Sequence, residues 1–326
     1  MKMLYPLPNS ISKEAVRLLH VFNQEGQYTF EFPTFDNHGE WRSLFHDFES
    51  SLTEYNKSII KKYNPDFKEY KIRSVPVLDI KPKNWRCREK LIVYLHGGGF
   101  IFGSAQSSLA HTVPLAHATG IRVVAINYTL APIANWRKIS DELVSVVQGL
   151  LDDEFELSNM LFLGDSAGGG LATSLALKLR DEKIGIPAGL VLISPWVDVS
   201  LSGDTVHTLK SADPRLDLTT MKVAANAYAK KCDWENPYVS PLFGDYSDDF
   251  PATLIQVGTK EILLSDSIIL NQVLNSGGKY SVLEVYEGMW HNFQHNYDIP
   301  ESVLAWNKVK LFVCQNLNIP CDTSEK

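Results

Sequence analysis

The sequence predicts an α/β fold with a mostly parallel sheet covered by helices on both faces. Short apolar runs, typical of buried strands, alternate with helical segments from residue 90 onward. A glycine-rich turn at residues 164–170 joins one such run to a helix-forming stretch. The 326 residues are 44% hydrophobic and 21% charged, which is an ordinary globular composition. We therefore expect residues 1–326 to form a single large domain.

The first part of the chain is predicted to be helical before it enters the sheet. Residues 1–65 have a helical pattern, in which an apolar stripe at helical spacing is formed by Phe45, Phe48, Leu52 and Tyr55. Residues 69–80 predict a strand with a break at Pro76. Two buried strands follow at 90–95 and 121–128, with helices at 109–119 and at 140–151, the latter capped by Ser140.

The second half continues the alternation with one interruption. Beyond the glycine-rich turn, a helix is expected to reach residue 180. The later strands are predicted at 189–193, 253–257 and 281–285, and the helices at 266–274 and 301–317. Residues 198–250 break this rhythm with a short helix near 221–231 and an acidic loop at 244–249. We interpret this segment as an insertion over the active face of the sheet.

Composition and charge exclude several classes of function. The net charge of −7, without a Lys/Arg cluster, argues against a nucleic-acid-binding protein. The cysteines lie far apart without metal or redox spacing, which predicts reduced thiols: Cys87, Cys232, Cys314 and Cys321. Residues 1–10 lack the apolar core of a secretory signal, and no apolar run approaches the roughly 18 residues of a membrane span. We therefore expect a cytoplasmic protein.

The turn at Gly164-Asp165-Ser166-Ala167-Gly168 has the G-x-S-x-G pattern of a nucleophile elbow. The serine of such a turn takes a strained backbone conformation, so the residues two positions away must lack bulk. Ser166 would then project from the tip of a strand. Unpaired N–H groups at the start of the following helix would point at the same place and favour a developing negative charge.

A second glycine-rich motif, His96-Gly97-Gly98-Gly99-Phe100, follows the strand predicted at 90–95. Consecutive glycines let the backbone approach a substrate and turn its N–H groups toward a carbonyl oxygen that becomes an oxyanion. A phosphate-binding loop is the alternative, but the chain has neither of the usual glycine-rich phosphate motifs. Together the two motifs indicate acyl transfer more specifically than either does alone.

A reactive serine needs a base, and His291 is the favoured candidate. It follows the last predicted strand, on a loop at the carboxyl edge of the sheet, where ligands bind in open α/β folds. The order of serine, acid and histidine along the chain is also that of α/β-hydrolases. His295 is the alternative further along the same loop. His207 lies in the insertion, and we interpret it as a solvated side chain.

The acid that orients the histidine should follow the strand predicted at 253–257. Glu261 lies four residues beyond this strand and is the assigned candidate. Asp266 is the alternative, although its position at a predicted helix start also suits a capping residue. Asp165, beside the serine, is interpreted as a brace for the loop rather than a reacting group.

Taken together, these segments resemble the hormone-sensitive-lipase-like esterases of the α/β-hydrolase fold. The resemblance runs over residues 91–312. It is carried by HGGGF at 96–100, YTLAP at 128–132, GDSAGGG at 164–170, SPWVD at 194–198, NPYVSPL at 236–242, QVGTKE at 256–261 and the loop of His291. Where the family usually has Arg and Glu around the second segment, this chain has Thr129 and Ile133. That departure weakens any inference about this loop and its contribution to an acyl pocket.

The resemblance implies a nucleophile at Ser166, a base at His291 and an acid at Glu261, where most of the family has Asp. It also implies oxyanion donors at the N–H groups of Gly98, Gly99 and Ala167, with Gly97 a weaker candidate. A cap would come from residues 1–65 and 198–250. By analogy with the family, a small cap suggests short- to medium-chain acyl esters.

The expected function is therefore that of a carboxylic ester hydrolase acting through an acyl-enzyme, without metal or organic cofactor. Its expected partner is a small-molecule ester. A lactone, amide or peptide hydrolase with the same triad is the main alternative, and a non-catalytic small-molecule receptor on the same fold is less favoured because His291 is present. The sequence leaves the oligomeric state open, a homodimer included.

Overall fold

The computed structural model describes residues 8–27 and 30–321, and an eight-stranded sheet forms its centre. The strands are β1 (Asp66–Ile72), β2 (Val75–Lys81), β3 (Leu91–Leu95), β4 (Arg122–Ile126), β5 (Met160–Asp165), β6 (Gly189–Ile193), β7 (Thr253–Gly258) and β8 (Ser281–Tyr286). Their spatial order is β1-β2-β4-β3-β5-β6-β7-β8. The pairings of β2 with β1 and with β4 are antiparallel, and the pairings from β4 to β8 are parallel. The prediction of a mostly parallel α/β sheet is confirmed.

Helices precede the sheet and connect its strands. They are α1 (Lys13–Glu25), α2 (His38–Tyr63), α3 (Leu109–Thr119), α4 (Trp136–Asp152), α5 (Ala167–Asp181), α6 (Asp204–Thr208), α7 (Leu218–Tyr228), α8 (Leu264–Ser276) and α9 (Pro300–Asn316). The strands from β3 onward, with α3, α5, α8 and α9, end within two residues of their predicted bounds. Parts of the predicted cap and of the amino-terminal segment, residues 1–7 and 28–29, lie outside the described residues.

The predicted strand with a break at Pro76 is wrong. The structure has a hairpin there, in which Ile72 pairs with Val75 across a tight turn. Arg73 in this turn has a left-handed backbone with φ of 50°. Pro76 instead lies inside β2, and its carbonyl accepts the N–H of Asn127 at 3.0 Å. The sequence did not predict this turn because Arg rarely adopts a positive φ.

Two helices begin earlier than the sequence predicts. α4 starts at Trp136 rather than at Ser140, because the side chain of Asn135 accepts the N–H of Lys138 and caps the helix. In the same way Asp217 accepts the N–H of Thr220, so α7 begins at Leu218 and ends at Tyr228. In both cases the real cap lies a few residues before the apolar stripe that suggested the helix.

The apolar core forms large clusters on the sheet and a smaller one around the loop that carries His291. In this smaller cluster, Ala15, Leu19 and Phe22 of α1 pack against Met289 and Trp290. The rings of Phe22 and Trp290 meet edge to face, with 5.2 Å between their centroids. α1 therefore packs directly against the segment that precedes His291.

Candidate active site

Ser166 lies at the sharp turn between β5 and α5. Its backbone is strained, with φ of 52° and ψ of −122°. The turn is fixed because the N–H of Ser166 donates to the carbonyl of Ile193 at 2.8 Å. A Cβ atom at Gly164 would collide with the carbonyl of Gly168, and one at Gly168 with the carbonyl of Leu95. Both glycines are thus required by close backbone approach, as the pattern predicted.

The structure brings Ser166, His291 and Glu261 into one hydrogen-bonded chain. The distance from Ser166 Oγ to His291 Nε2 is 2.9 Å, and the distance from His291 Nδ1 to Glu261 Oε2 is also 2.9 Å. Glu261 is fully buried, and only 6% of Ser166 and 7% of His291 are exposed. This arrangement lets an imidazole take a proton from a hydroxyl while a carboxylate faces its other nitrogen.

The glycine-rich loop after β3 lies beside this chain. Gly98 and Gly99 have positive φ (105° and 62°), and they line the same cavity as Ser166. The N–H of Gly97 donates to Asp165 Oδ1 at 3.0 Å and is therefore already occupied. Within the described parts of the chain, the N–H groups of Gly98, Gly99 and Ala167 have no such acceptor. These three donors remain available to an oxyanion.

Comparison with known proteins places the chain in a family. A family model described as alpha/beta hydrolase fold matches residues 92–295. The chain belongs to the α/β-hydrolase family. It is 33% identical over 244 residues to an esterase of Acinetobacter venetianus, covering 74% of this chain and 80% of that protein. It is 32% identical over 228 residues to a putative acetyl-hydrolase of Mycobacterium tuberculosis, covering 70% and 73% respectively.

A solved structure extends the likeness to nearly the whole chain of this α/β-hydrolase. It is an esterase from the bacterial hormone-sensitive lipase family, with a TM-score of 0.81 and 26% identity. The match covers 94% of this chain and 99% of that one. The resemblance to hormone-sensitive-lipase-like esterases, the α/β-hydrolase fold and the class of carboxylic ester hydrolase predicted from the sequence are confirmed.

The second oxygen of Glu261 explains how this α/β-hydrolase accommodates a long acidic side chain. Glu261 Oε1 accepts the N–H of Gly258 at 2.6 Å and the hydroxyl of Ser194 at 2.9 Å. Ser194 in turn accepts the N–H of Asn292 at 3.2 Å, next to His291. Sequence reasoning missed Ser194. Its position directly after β6, at the same edge of the sheet, was the available signal.

Asp165 braces the glycine-rich loop, in line with its interpretation from the sequence. Besides the N–H of Gly97, its carboxylate accepts the hydroxyl of Tyr94 at 2.5 Å and the side-chain amide of Asn292 at 3.0 Å. Burial raises the pKa of the Asp165 carboxyl above its ordinary value. The residue before the nucleophile thus ties together the loops that follow β3 and β8.

The alternative candidates lie outside the hydrogen-bonded chain. His295 stacks on His111 with 3.5 Å between ring centroids, and its Nε2 is 3.8 Å from Asp165 Oδ2. His207 is exposed on α6. Asp266 is the third residue of α8, and its carboxylate accepts the N–H groups of Val197 and Asp198, each at 3.0 Å. Asp266 therefore fixes the loop after β6 rather than capping a helix.

The departure at Thr129 and Ile133 has a local replacement. The N–H and hydroxyl of Thr129 both donate to the carboxylate of Glu142 on α4, at 2.7 and 2.8 Å. Ile133 is half-buried. A two-point contact with Glu142 thus anchors the loop to α4.

A cavity of about 1230 Å³ opens over Ser166. Its walls come from α1, from α2 and from residues 215–224, together with the glycine-rich loop and the loop of His291. Phe48, Leu52 and Tyr55 of the apolar stripe line it. Among the described residues, no cluster of three potential metal ligands occurs, and none of the helices is long and apolar enough to span a membrane.

Proposed function

We propose that Ser166, His291 and Glu261 are the nucleophile, base and acid of this carboxylic ester hydrolase. The observation that supports it is the hydrogen-bonded chain from hydroxyl to imidazole to carboxylate, with each link at 2.9 Å. The relatives named esterase and acetyl-hydrolase have the same class of activity. A buried carboxylate facing Nδ1 favours the tautomer in which Nε2 accepts a proton.

In the proposed reaction, Ser166 Oγ attacks the ester carbonyl carbon while its proton passes to His291 Nε2. The carbonyl oxygen gains a negative charge, which the N–H groups of Gly98, Gly99 and Ala167 stabilise. The C–O bond to the alcohol then breaks, and the alcohol leaves with the proton from Nε2. Water attacks the acyl-enzyme by the same steps and releases the acid.

In this proposal the oxyanion donors and Glu261 both stabilise the transition state. Removal of an oxyanion donor costs roughly 2.7–4 kcal/mol in other serine hydrolases. Gly98 and Gly99 lie on the loop after β3 and Ala167 on the Ser166 elbow, and in both places neighbouring backbone packs closely around the glycines. Glu261 stabilises the imidazolium, because its charge is fully buried and lies 2.9 Å from Nδ1.

The test is turnover of p-nitrophenyl acetate and labelling by a serine-directed fluorophosphonate in the wild type and in Ser166→Ala. We expect Ser166→Ala to lose both while it keeps the wild-type thermal unfolding temperature. Ser174→Ala, a buried serine on the same helix, serves as the matched control and should retain both. Ester turnover that persists in Ser166→Ala would reject the proposed nucleophile.

We further propose that the substrates are short- to medium-chain acyl esters. Residues of α1, of α2 and of 215–224 act as the cap that limits acyl length. A cavity of about 1230 Å³ has room for both the acyl and the alcohol parts, since pockets for small ligands usually occupy about 300–1,000 Å³. A chain-length series of p-nitrophenyl esters tests this proposal. We expect kcat/KM to peak at short to medium lengths, and a monotonic rise to the longest chains would contradict it.

A further inference from the structure

Asp213 is a buried carboxylate in the insertion that the proposed reaction does not use. Only 2% of it is exposed. Its Oδ1 accepts the N–H groups of Arg215 and Leu216 at 2.8 and 3.0 Å, which closes a tight turn. Its Oδ2 accepts the N–H of Ile262 at 3.0 Å. Because Ile262 directly follows Glu261, the insertion holds the backbone next to the proposed acid.

The same peptide segment is held from its other side. The hydroxyl of Thr205 on α6 donates to the carbonyl of Ile262 at 2.8 Å. Ile262 is therefore tethered through its N–H by Asp213 and through its carbonyl by Thr205, and both tethers come from the insertion. The side chain of Glu261 leaves the backbone beside these two contacts, so its reach toward His291 depends on them.

Asp213 also connects this segment to the amino-terminal part of the cap. The side-chain amide of Gln27 donates to the carbonyls of Asp213 and Leu216, each at 2.8 Å. The guanidinium of Arg215 lies 4.9 Å from the ring centroid of Phe22 on α1. Arg215 and Leu216 both line the cavity. A single buried carboxylate thus joins the cavity wall to the acid loop.

The carboxyl of Asp213 interacts electrostatically with the imidazole of His291. Burial raises the pKa of the Asp213 carboxyl to about 6, and the imidazole of His291 opposes this rise. At pH 7 most of this carboxyl is therefore ionised, and it takes up a proton near pH 6. Other ionisable groups that interact with His291 are Glu261, Asp165 and His295. Further charged side chains line the cavity around it: Glu14, Arg17, Asp47, Arg215, Asp217 and Asp298.

We infer that Asp213 is a positioning residue for the triad, which holds Glu261 through Ile262 and adds a second negative charge near the imidazolium of His291. This inference rests on the proposed triad. Neutral replacements of Asp213 should lower kcat because Glu261 moves and because the imidazolium loses a negative neighbour. They should also shift the acid limb of the pH–rate profile to lower pH, since protonation of the base becomes less favourable.

The experiment measures kcat, KM and the pH profile of kcat/KM on p-nitrophenyl acetate, with thermal unfolding in parallel. For Asp213→Asn we expect kcat to fall roughly 10- to 100-fold with little change in KM. The acid limb should move to lower pH, by less than a permanently charged neighbour would cause, because Asp213 itself takes up a proton near pH 6. Asp213→Glu keeps the charge, so its acid limb should stay at the wild-type position even if kcat falls. Asp213→Ser is a second neutral variant, whose hydroxyl can still accept the N–H groups of the turn.

The matched control is Asp204→Asn. Asp204 is an exposed aspartate at the start of α6, in the same insertion, and it is not among the residues that line the cavity. This control should keep the wild-type kcat and acid limb. A folded neutral variant of Asp213 with wild-type kcat and limb would overturn the inference. The inference would also be overturned if Asp213→Asn and Asp213→Glu had the same acid limb, or if all three variants failed to fold. Either result would give Asp213 a purely structural role. Ser166→Ala tests the proposed nucleophile separately.

Discussion

Substitution Glu261→Gln is the sharpest test of the hydrogen-bonded chain at the active site. In the wild type, Oε1 of Glu261 accepts the N–H of Gly258, and Oε2 faces His291 Nδ1. A glutamine has one acceptor oxygen and one donor nitrogen. The N–H of Gly258 can only donate, so the amide oxygen must take the Oε1 position. The amide nitrogen is then forced toward His291.

This forced orientation inverts the tautomer of the imidazole. An amide N–H that donates to Nδ1 requires Nδ1 to be unprotonated, so that Nε2 carries the hydrogen. Nε2 would then be unable to accept the proton of Ser166 Oγ, 2.9 Å away. The equivalent acid-to-amide change in the chymotrypsin-type triad lowers kcat about 10⁴-fold. We expect a loss of about the same size here, equivalent to about 5 kcal/mol of transition-state stabilisation.

The assay is kcat for p-nitrophenyl acetate at pH 7, with a fluorophosphonate labelling rate as an independent measure of the nucleophile. Thermal unfolding should show that Glu261→Gln remains folded, because Gln and Glu have nearly the same shape. Both rates should fall together. A folded Glu261→Gln variant that retains kcat within tenfold of the wild type would refute the assignment of the acid and the tautomer argument.

Three further predictions follow from contacts around the site. Ser194→Ala leaves the partly buried N–H of Asn292 unpaired and removes one bond to Glu261. The free energy of unfolding should fall by about 1–3 kcal/mol with a lower kcat, and unchanged values in urea titration and turnover would contradict this. Gly168→Ala should cost about 3 kcal/mol or more because its Cβ meets main-chain oxygens, whereas Gly39→Ala, in an open position of α2, is the control and should unfold at or above the wild-type temperature. Burial and the charge of Asp198 raise the pKa of Asp266 from 3.8 to about 8. The folded state therefore retains a proton that the unfolded chain releases, so the free energy of unfolding declines as pH rises from about 4 to about 8. Asp266→Asn should flatten this decline, and wild-type and variant curves of unfolding temperature against pH that run parallel would contradict the prediction.

The sequence predicts most of the fold because the signals for it are local. The strand–turn–helix at Ser166 and the strand that precedes Glu261 are each formed by consecutive residues. Their order along the chain is therefore enough to place both side chains at the carboxyl edge of the sheet. The glycine-rich loop likewise follows directly from its strand. These features need no knowledge of which distant residues meet.

What the sequence does not predict depends on distant contacts or unusual conformations. Ser194 bonds to Glu261, 67 positions away, and Asp213 bonds to Ile262 across 49 positions. Neither belongs to a pattern with fixed spacing. The strand breaks at a turn that contains Arg73 in a left-handed conformation, and not at Pro76 as predicted. Such features follow from tertiary packing, which overrides local preference.

The packing of α1 against Trp290 limits how substrates can enter. A hinge that lifted α1 away from the cavity would expose Phe22 and Trp290 to water, and it would release the residue that adjoins His291. An open state of that kind would disassemble the base at the moment of substrate entry. Changes of specificity are therefore best sought on the α2 wall, where Phe48, Leu52 and Tyr55 line the cavity.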